Sequence, residues 1–137
     1  MGKASKDVQR RFIDEFQSKA DFAVAEELLA DDFVDHSPFG PIPPTKAGVL
    51  QLFGMLRAAF PDLRAEVDDL LVDGDKIVTR KTFHGTHQGE FMGIPPTGRA
   101  VSWGVIDIVR QRDGQLVEHW NQLDAYGLMA QLGAIPG

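Results

Sequence analysis

Two Asp-Gly turns, each set between long strand-like runs, constrain this chain more than any other feature. Leu63 to Val72 and Lys76 to His84 flank Asp73-Gly74-Asp75, and Val101 to Gln111 and Gln115 to Leu123 flank Arg112-Asp113-Gly114. Glycine, and to a lesser degree aspartate, tolerates the positive φ that tight hairpins demand, so both sites read as hairpin connections. The result is a meander of four long strands. Residues 85 to 99 join its two halves through a loop stiffened by prolines and turned by glycines.

The N-terminal half follows a helical period. Val8, Phe12 and Phe16, with Ile13 beside them, form one stripe between Asp7 and Lys19. Residues 1 to 6 ahead of it are expected to fray. Asp21 is placed to cap a short helix through Leu29, and Phe33 to His36 reads as a short extended segment closed by Pro38, Gly40, Pro41, Pro43 and Pro44. Thr45 caps the principal helix, whose face of Val49, Leu52, Phe53, Leu56 and Phe60 ends before Pro61. Asp124 to Leu132 forms a last short helix with Gly133 as its C-cap. Helices gathered on one face of a largely antiparallel sheet make an α+β fold. A sheet curved against the first helix makes a cone around an apolar cavity. No repeat or linker divides residues 1–137, which read as one domain.

Composition excludes some functions. With 20 acidic against 14 basic residues the chain carries a net charge of -6, and no Lys/Arg stripe offers a nucleic-acid groove. The absence of cysteine removes disulfides, thiolate nucleophiles and cysteine metal sites. No run reaches transmembrane length and the first residues lack a signal-peptide core, so a cytoplasmic location without membrane contact is expected. GIPPTGR lacks the lysine of a phosphate-binding loop, and the His84/His87 pair has no third ligand to complete a metal pattern. No cofactor or metal is expected.

Candidate chemistry lies on the last strands. Alternation puts Asp107 on the bulky apolar face with Val101, Trp103, Val105 and Val109. A carboxylate there is either an acid/base group or half of a buried ion pair, with Arg80 on the neighbouring hairpin as partner. Asp124 either caps the last helix or looks into the cavity mouth beside Trp120. His36 is a candidate to orient a substrate oxygen or shuttle a proton, or else a half-exposed turn residue. His119 and Trp120 point to opposite faces, and alternation leaves open which faces the cavity. Tyr126 is a possible hydroxyl donor, Arg99 a carboxylate binder or surface charge. Trp103, Trp120, Phe53, Phe60 and Phe91 are read as pocket wall.

At FVDHSP (33 to 38), RxTxxGTHxGEFxGIPPTGR (Arg80 to Arg99) and DGQLVEHWNQLDAYGLMAQLG (Asp113 to Gly133), the chain resembles SnoaL-like polyketide cyclases, or ester cyclases, within the nuclear transport factor 2-like and ketosteroid isomerase-like superfamily. The resemblance implies a cone-shaped α+β barrel and a cofactor-free intramolecular aldol closure. It assigns the general acid/base to Asp124, with His36 assisting; where the family has a second histidine, this chain has Asp107. A small hydrophobic carbonyl compound is the implied ligand, and a homodimer, or a tetramer, the implied assembly. Three rival readings remain: an isomerase with Tyr126 and Asp107 as donors, an epoxide hydrolase built on Asp107, Arg80 and Asp124, and a non-catalytic ligand-binding or structural module.

Overall fold

The computed structural model describes residues 2–136. Helix α1 (Lys6–Arg11) runs without a break into a π-helical stretch, Phe12–Ser18, and is followed by α2 (Phe22–Leu28), strand β1 (Leu29–Asp35) and α3 (Lys46–Ala59). Strands β2 (Arg64–Asp73), β3 (Lys76–Thr86), β4 (Ala100–Arg112) and β5 (Gln115–Leu123) complete the sheet before α4 (Ala125–Gln131). The α+β architecture expected from the sequence is present, with the helices packed against a curved sheet.

The sheet order is β1-β5-β4-β3-β2. The four long strands pair antiparallel, as their turns require, and Asp113 and Gly114 close the second hairpin with φ of 52° and 77°. Strand β1 adds to β5 in parallel, with Val34 opposite Glu118 and Asp35 opposite His119, so the sheet is mixed. Leu29, assigned from sequence to the end of the second helix, instead begins this strand. Between Arg110 and Gln111 the pairing with β5 slips from Glu118 to Leu116. The extra residue, Val117, makes a bulge that reverses which face the residues before it occupy.

Several local expectations change. Residues 2 to 5 do not fray: the Ala4 amide donates to the Gly74 carbonyl at 2.8 Å, Ala4 is buried, and Ser5 caps α1 through the Val8 amide. Met1, the remaining residue of that expected frayed end, lies outside the described residues. Asp21 occupies the N-cap position of α2 but its side chain makes no capping bond, whereas Thr45 does cap α3 through the Gly48 amide.

The core divides into two apolar clusters. One gathers Phe12, Phe16, Leu29, Phe33, Val109 and Leu116, and the other Phe60, Phe83, Phe91, Trp103, Val105 and Leu128. The inward faces of β3, β4 and β5 run between them, and any polar side chain on those faces has to find a partner within the protein or in a cavity. No helix among the described residues is long and apolar enough to cross a membrane.

Candidate functional site

A cavity of about 360 Å³ lies between the helices and the concave face of the sheet. Its apolar wall draws on both clusters, with Phe12, Phe53, Phe83, Phe91, Trp103 and Leu128 among the contributors. Its polar wall is a chain of side chains from four strands and the π-helical stretch. Asp35 on β1 accepts from His119 Nδ1 at 3.0 Å, and His119 Nε2 on β5 donates to Asp107 Oδ1 at 2.6 Å. Asp107 Oδ2 on β4 lies 2.8 Å from Lys81 Nζ on β3, which donates to Gln17 Oε1 at 2.9 Å.

Strand register explains the assembly. On β4 the alternation read from sequence holds, with Trp103, Val105, Asp107 and Val109 buried. Thr79 pairs with Asp107 and Lys81 with Val105, so Lys81 is the diagonal neighbour of Asp107 on the same face of β3. Asn121 is directly opposite Asp107, and His119 is two residues before it on the same face of β5. Both line the cavity.

Electrostatics fix the charge states. Burial alone would lower the His119 pKa, but the hydrogen bonds and charges of Asp107 and Asp35 outweigh it and raise the group to about 9. Burial likewise disfavours the Asp107 carboxylate, yet Lys81 and His119 hold it at about 2. At neutral pH the His119 imidazolium therefore faces the Asp107 carboxylate, with Asp35 on one side of the pair and Lys81 on the other. Charges taken this far from water persist only when paired and hydrogen-bonded.

Three residues of the cavity wall, Asp35, Ser37 and Asn121, keep hydrogen-bonding capacity. Asp35 uses one oxygen, Oδ1, to accept from both His119 and the Ser37 amide, the latter at 2.9 Å, and among the described residues no hydrogen bond reaches Oδ2. The Ser37 hydroxyl accepts from the Asn121 amide at 3.1 Å and keeps its own proton free to donate, while the Asn121 side chain lies in the cavity wall. The arrangement offers a base, two neutral donors and a fixed positive charge within one pocket.

The placements differ from the sequence reading at most of the polar positions. Asp124 is exposed, is absent from the cavity wall, and caps α4 by accepting from the Gly127 amide at 2.8 Å. A Cβ on Gly127 would collide with the Asp124 carboxylate, so that turn is built around the cap. His36 points out of the cavity, stacks on Trp120 with ring centroids 4.8 Å apart, and bonds to Glu118 at 3.1 Å. Trp120 is thus on the outer face, and it is His119 that faces inward. Arg80 is also on the outer face, paired with Asp69 at 2.7 Å rather than with Asp107. Tyr126 is exposed and donates to the Pro136 carbonyl.

These positions dismantle two of the rival readings. Arg80 and Asp124 do not converge with Asp107, so the hydrolase triad is not assembled. Tyr126 is outside the cavity and both Asp107 oxygens are engaged by Lys81 and His119, so neither supplies the neutral acid donor of the isomerase reading. Of the expected wall residues, Trp103, Phe53 and Phe91 line the cavity; Phe60 packs behind Trp103 and Phe91. Arg99 reaches the Gln131 carbonyl at 2.9 Å and ties the loop to α4. His84 bonds to Glu66, while His87 is wholly buried and accepts from the Thr97 amide through Nδ1. The two histidines share no site.

Asp35, Ser37, Lys81, Gln17 and Asn121 were not singled out from the sequence. For Lys81 a signal existed, because Ile77, Thr79, Lys81 and Phe83 alternate onto one apolar face. For Asp35 it lay in Phe33, whose burial fixes Asp35 inward and His36 outward.

The family model for SnoaL-like polyketide cyclases matches residues 7–132. The chain belongs to this family. Nogalonic acid methyl ester cyclase from Streptomyces nogalater is 31% identical over 85 residues, which are 61% of this chain and 63% of that relative's length, short of two thirds. Aklanonic acid methyl ester cyclase DnrD from Streptomyces peucetius is 27% identical over 133 residues, covering 93% of this chain and 89% of the relative. Among solved structures, AclR from Streptomyces galilaeus, named as a proposed hydroxylase, superposes with a TM-score of 0.86 at 32% identity, covering 96% of this chain and 82% of that one. Within a SnoaL-like framework, therefore, similar folds carry different reaction names.

Proposed function

We propose that this chain is a cyclase that closes a ring on a small hydrophobic polyketide-type carbonyl compound by proton transfer alone. The observation that carries the reading is the Asp35 carboxylate in the cavity wall, one oxygen held by His119 and the Ser37 amide and the other without a hydrogen bond among the described residues. Both curated relatives are named as methyl ester cyclases, which supports the substrate class.

In this mechanism Asp35 Oδ2 removes a proton from carbon alpha to a carbonyl. The electron pair moves into an enolate whose oxygen accepts hydrogen bonds from the side-chain amide of Asn121 and the Ser37 hydroxyl. The enolate carbon then attacks a second carbonyl carbon of the same molecule, forming the ring bond, and the new alkoxide recovers the proton from Asp35. Nothing is gained or lost overall. His119 stays protonated, contributing position and field rather than a proton, because both ring nitrogens are already engaged. Asp107 and Lys81 hold His119 in place, and the apolar wall excludes water from the enolate.

Deuterium incorporation alpha to the carbonyl of an aryl β-keto methyl ester in D2O, followed by NMR, tests the reading. Wild-type protein should accelerate exchange, Asp35→Asn should lower the rate by about 10²- to 10⁴-fold, and His36→Ala should leave it unchanged. Equal rates for wild type and D35N would sink the assignment. Tight binding without any exchange would favour the ligand-binding module instead.

A homodimer is supported by the outer face of the sheet, where Leu71 is 62% and Ile106 49% exposed and Ile108 and Trp120 lie nearby on the neighbouring rows. Sedimentation that finds only monomer at micromolar concentration would remove it.

A further inference from the structure

Three glutamines are buried in this protein: Gln9, Gln17 and Gln111. Two of them are satisfied. Gln17 Oε1 accepts from Lys81 at 2.9 Å, and Gln111 exchanges two hydrogen bonds with the backbone of Ser5, at 2.7 and 3.1 Å. Gln9 differs. It is 2% exposed, it is the buried residue of α1, and among the described residues its Oε1 has no hydrogen-bond partner.

A buried amide oxygen without a partner is destabilising, and native proteins rarely keep one without a use. Among the described residues three more buried atoms lack a hydrogen bond: Thr79 Oγ1 and His87 Nε2 lie outside the cavity wall, and Asp107 Oδ2, which is in it, has the Lys81 ammonium 2.8 Å away, whereas Gln9 is in the wall with no such partner. Its surroundings make the position specific. Phe12, Leu29, Val109 and Leu116 line the same cavity and belong to one apolar cluster, and Gln9 adds to that cavity a polar group that, among the described residues, makes no hydrogen bond to the chain of Asp35, His119, Asp107, Lys81 and Gln17. Leucine or methionine would fill such a position at no polar cost.

We infer that Gln9 is a ligand-recognition residue whose amide oxygen accepts a hydrogen bond from a hydroxyl group of the cavity's ligand. This rests on the reading of the cavity as a site for a carbonyl compound and adds a second requirement: the substrate is a hydroxylated carbonyl compound. Asp35, Ser37 and Asn121 handle the reacting carbonyl, and Gln9 selects for a hydroxyl carried elsewhere on the same molecule. A polyketide-derived phenol has this chemistry. An O-methylated or deoxygenated analogue of similar shape leaves the Gln9 oxygen buried and unpaired, which is how a site built to hydrogen-bond a hydroxyl rejects a ligand lacking it.

Binding of three probes to the full chain tests this: 6-hydroxy-2-acetylnaphthalene, its 6-methoxy analogue and 2-acetylnaphthalene, titrated by probe fluorescence. The wild type should prefer the hydroxy ketone by about ten-fold over both others, and Gln9→Met should bring all three within about two-fold of one another. The apo Q9M protein should melt no lower than wild type, since the substitution removes an unpaired polar group and keeps the side-chain length. Equal affinities in wild type, an undiminished preference in Q9M, a lower melting temperature in Q9M, or no binding of any probe at about 1 mM would each overturn the inference. Asp35→Asn should keep the hydroxyl preference. Loss of exchange chemistry with the preference intact therefore condemns the mechanism alone, and exchange without the preference condemns Gln9 alone.

Discussion

The two faces of β1 and β5 carry nearly the same inventory of groups and put it to opposite uses. On the cavity face, Asp35, His119, Asp107 and Lys81 form a continuous chain in which Lys81 and Asp107 are 3% and 4% exposed. On the outer face His36, Glu118 and Arg110, the first two each one residue from Asp35 and His119, form another beside Trp120 and within reach of solvent. Inside, pairing is compulsory because water cannot replace a lost partner. Outside, solvent and salt stand in for any partner removed. A charged pair is informative about function only once the face it occupies is known.

The largest difference between the faces should appear when one partner is deleted. Asp107→Asn leaves Lys81 and His119 facing each other without their shared carboxylate, and removal of one member of a buried pair costs about 3–5 kcal/mol. Urea unfolding monitored by tryptophan fluorescence measures the loss. A change below about 1 kcal/mol would show that water already reaches the chain and that the cavity face is no different from the outer one.

The next effect follows from proton linkage. Folded His119 keeps its proton up to about 9 against an ordinary 6.5, so its contribution is complete below pH 6.5 and is lost as pH rises through about 9. That contribution is on the order of 3 kcal/mol. Asp107 acts at the other limit, contributing fully above its ordinary 3.8 and losing it as pH falls through about 2. Unfolding free energy against pH should therefore hold a plateau between the two ordinary values and fall on either side. His119→Asn should flatten the alkaline fall, whereas His36→Ala should leave it in place. An alkaline limb that survives in H119N would assign it to another group.

The same one-residue distinction explains what was legible in the sequence. Hairpin turns and helix stripes announced the meander and α3 because each depends on local chemistry: positive φ at Asp113-Gly114, a capping hydroxyl at Thr45, apolar spacing from Val49 to Phe60. Strand β4 could be read residue by residue because it is regular through the cavity. The site could not, for three reasons of register. In FVDHSP the imidazole has the richer chemistry, but Phe33 takes the core position and turns Asp35 inward. Beside Asp107, Arg80 offers the planar fork that suits a carboxylate, but Lys81 shares its face. On β5 the bulge at Val117 breaks the alternation that would have grouped Leu116 with Trp120. A slip of one residue exchanges the faces, and each polar misassignment on the strands is of that size.

Asp124 gives a smaller and more local contrast. Because it caps α4 from an exposed position, Asp124→Ala should cost about 1 kcal/mol of stability by denaturation and leave deuterium exchange at the wild-type rate. A D124A protein of normal stability that has lost exchange would restore this residue to the chemistry and displace Asp35.

The smallest effect should come from the outer face itself. Arg110 Nε donates to Glu118 at 2.8 Å, and the same carboxylate receives His36 at 3.1 Å, a geometry close to that of the inner chain. Its energetics should be unlike it. A double-mutant cycle on Arg110→Gln and Glu118→Gln should return a coupling of about 1 kcal/mol or less, because the unpaired groups rehydrate in place. Raising NaCl from about 0.05 to 0.5 M should reduce that coupling further, as the screening length falls toward the separation of the charges. The equivalent cycle on Lys81→Met and Asp107→Leu should give a larger coupling that salt barely changes, since ions do not enter the buried chain. Equal salt sensitivity in the two cycles would mean that both faces are wetted alike, and the case for a dry, preorganised cavity would fall with that result.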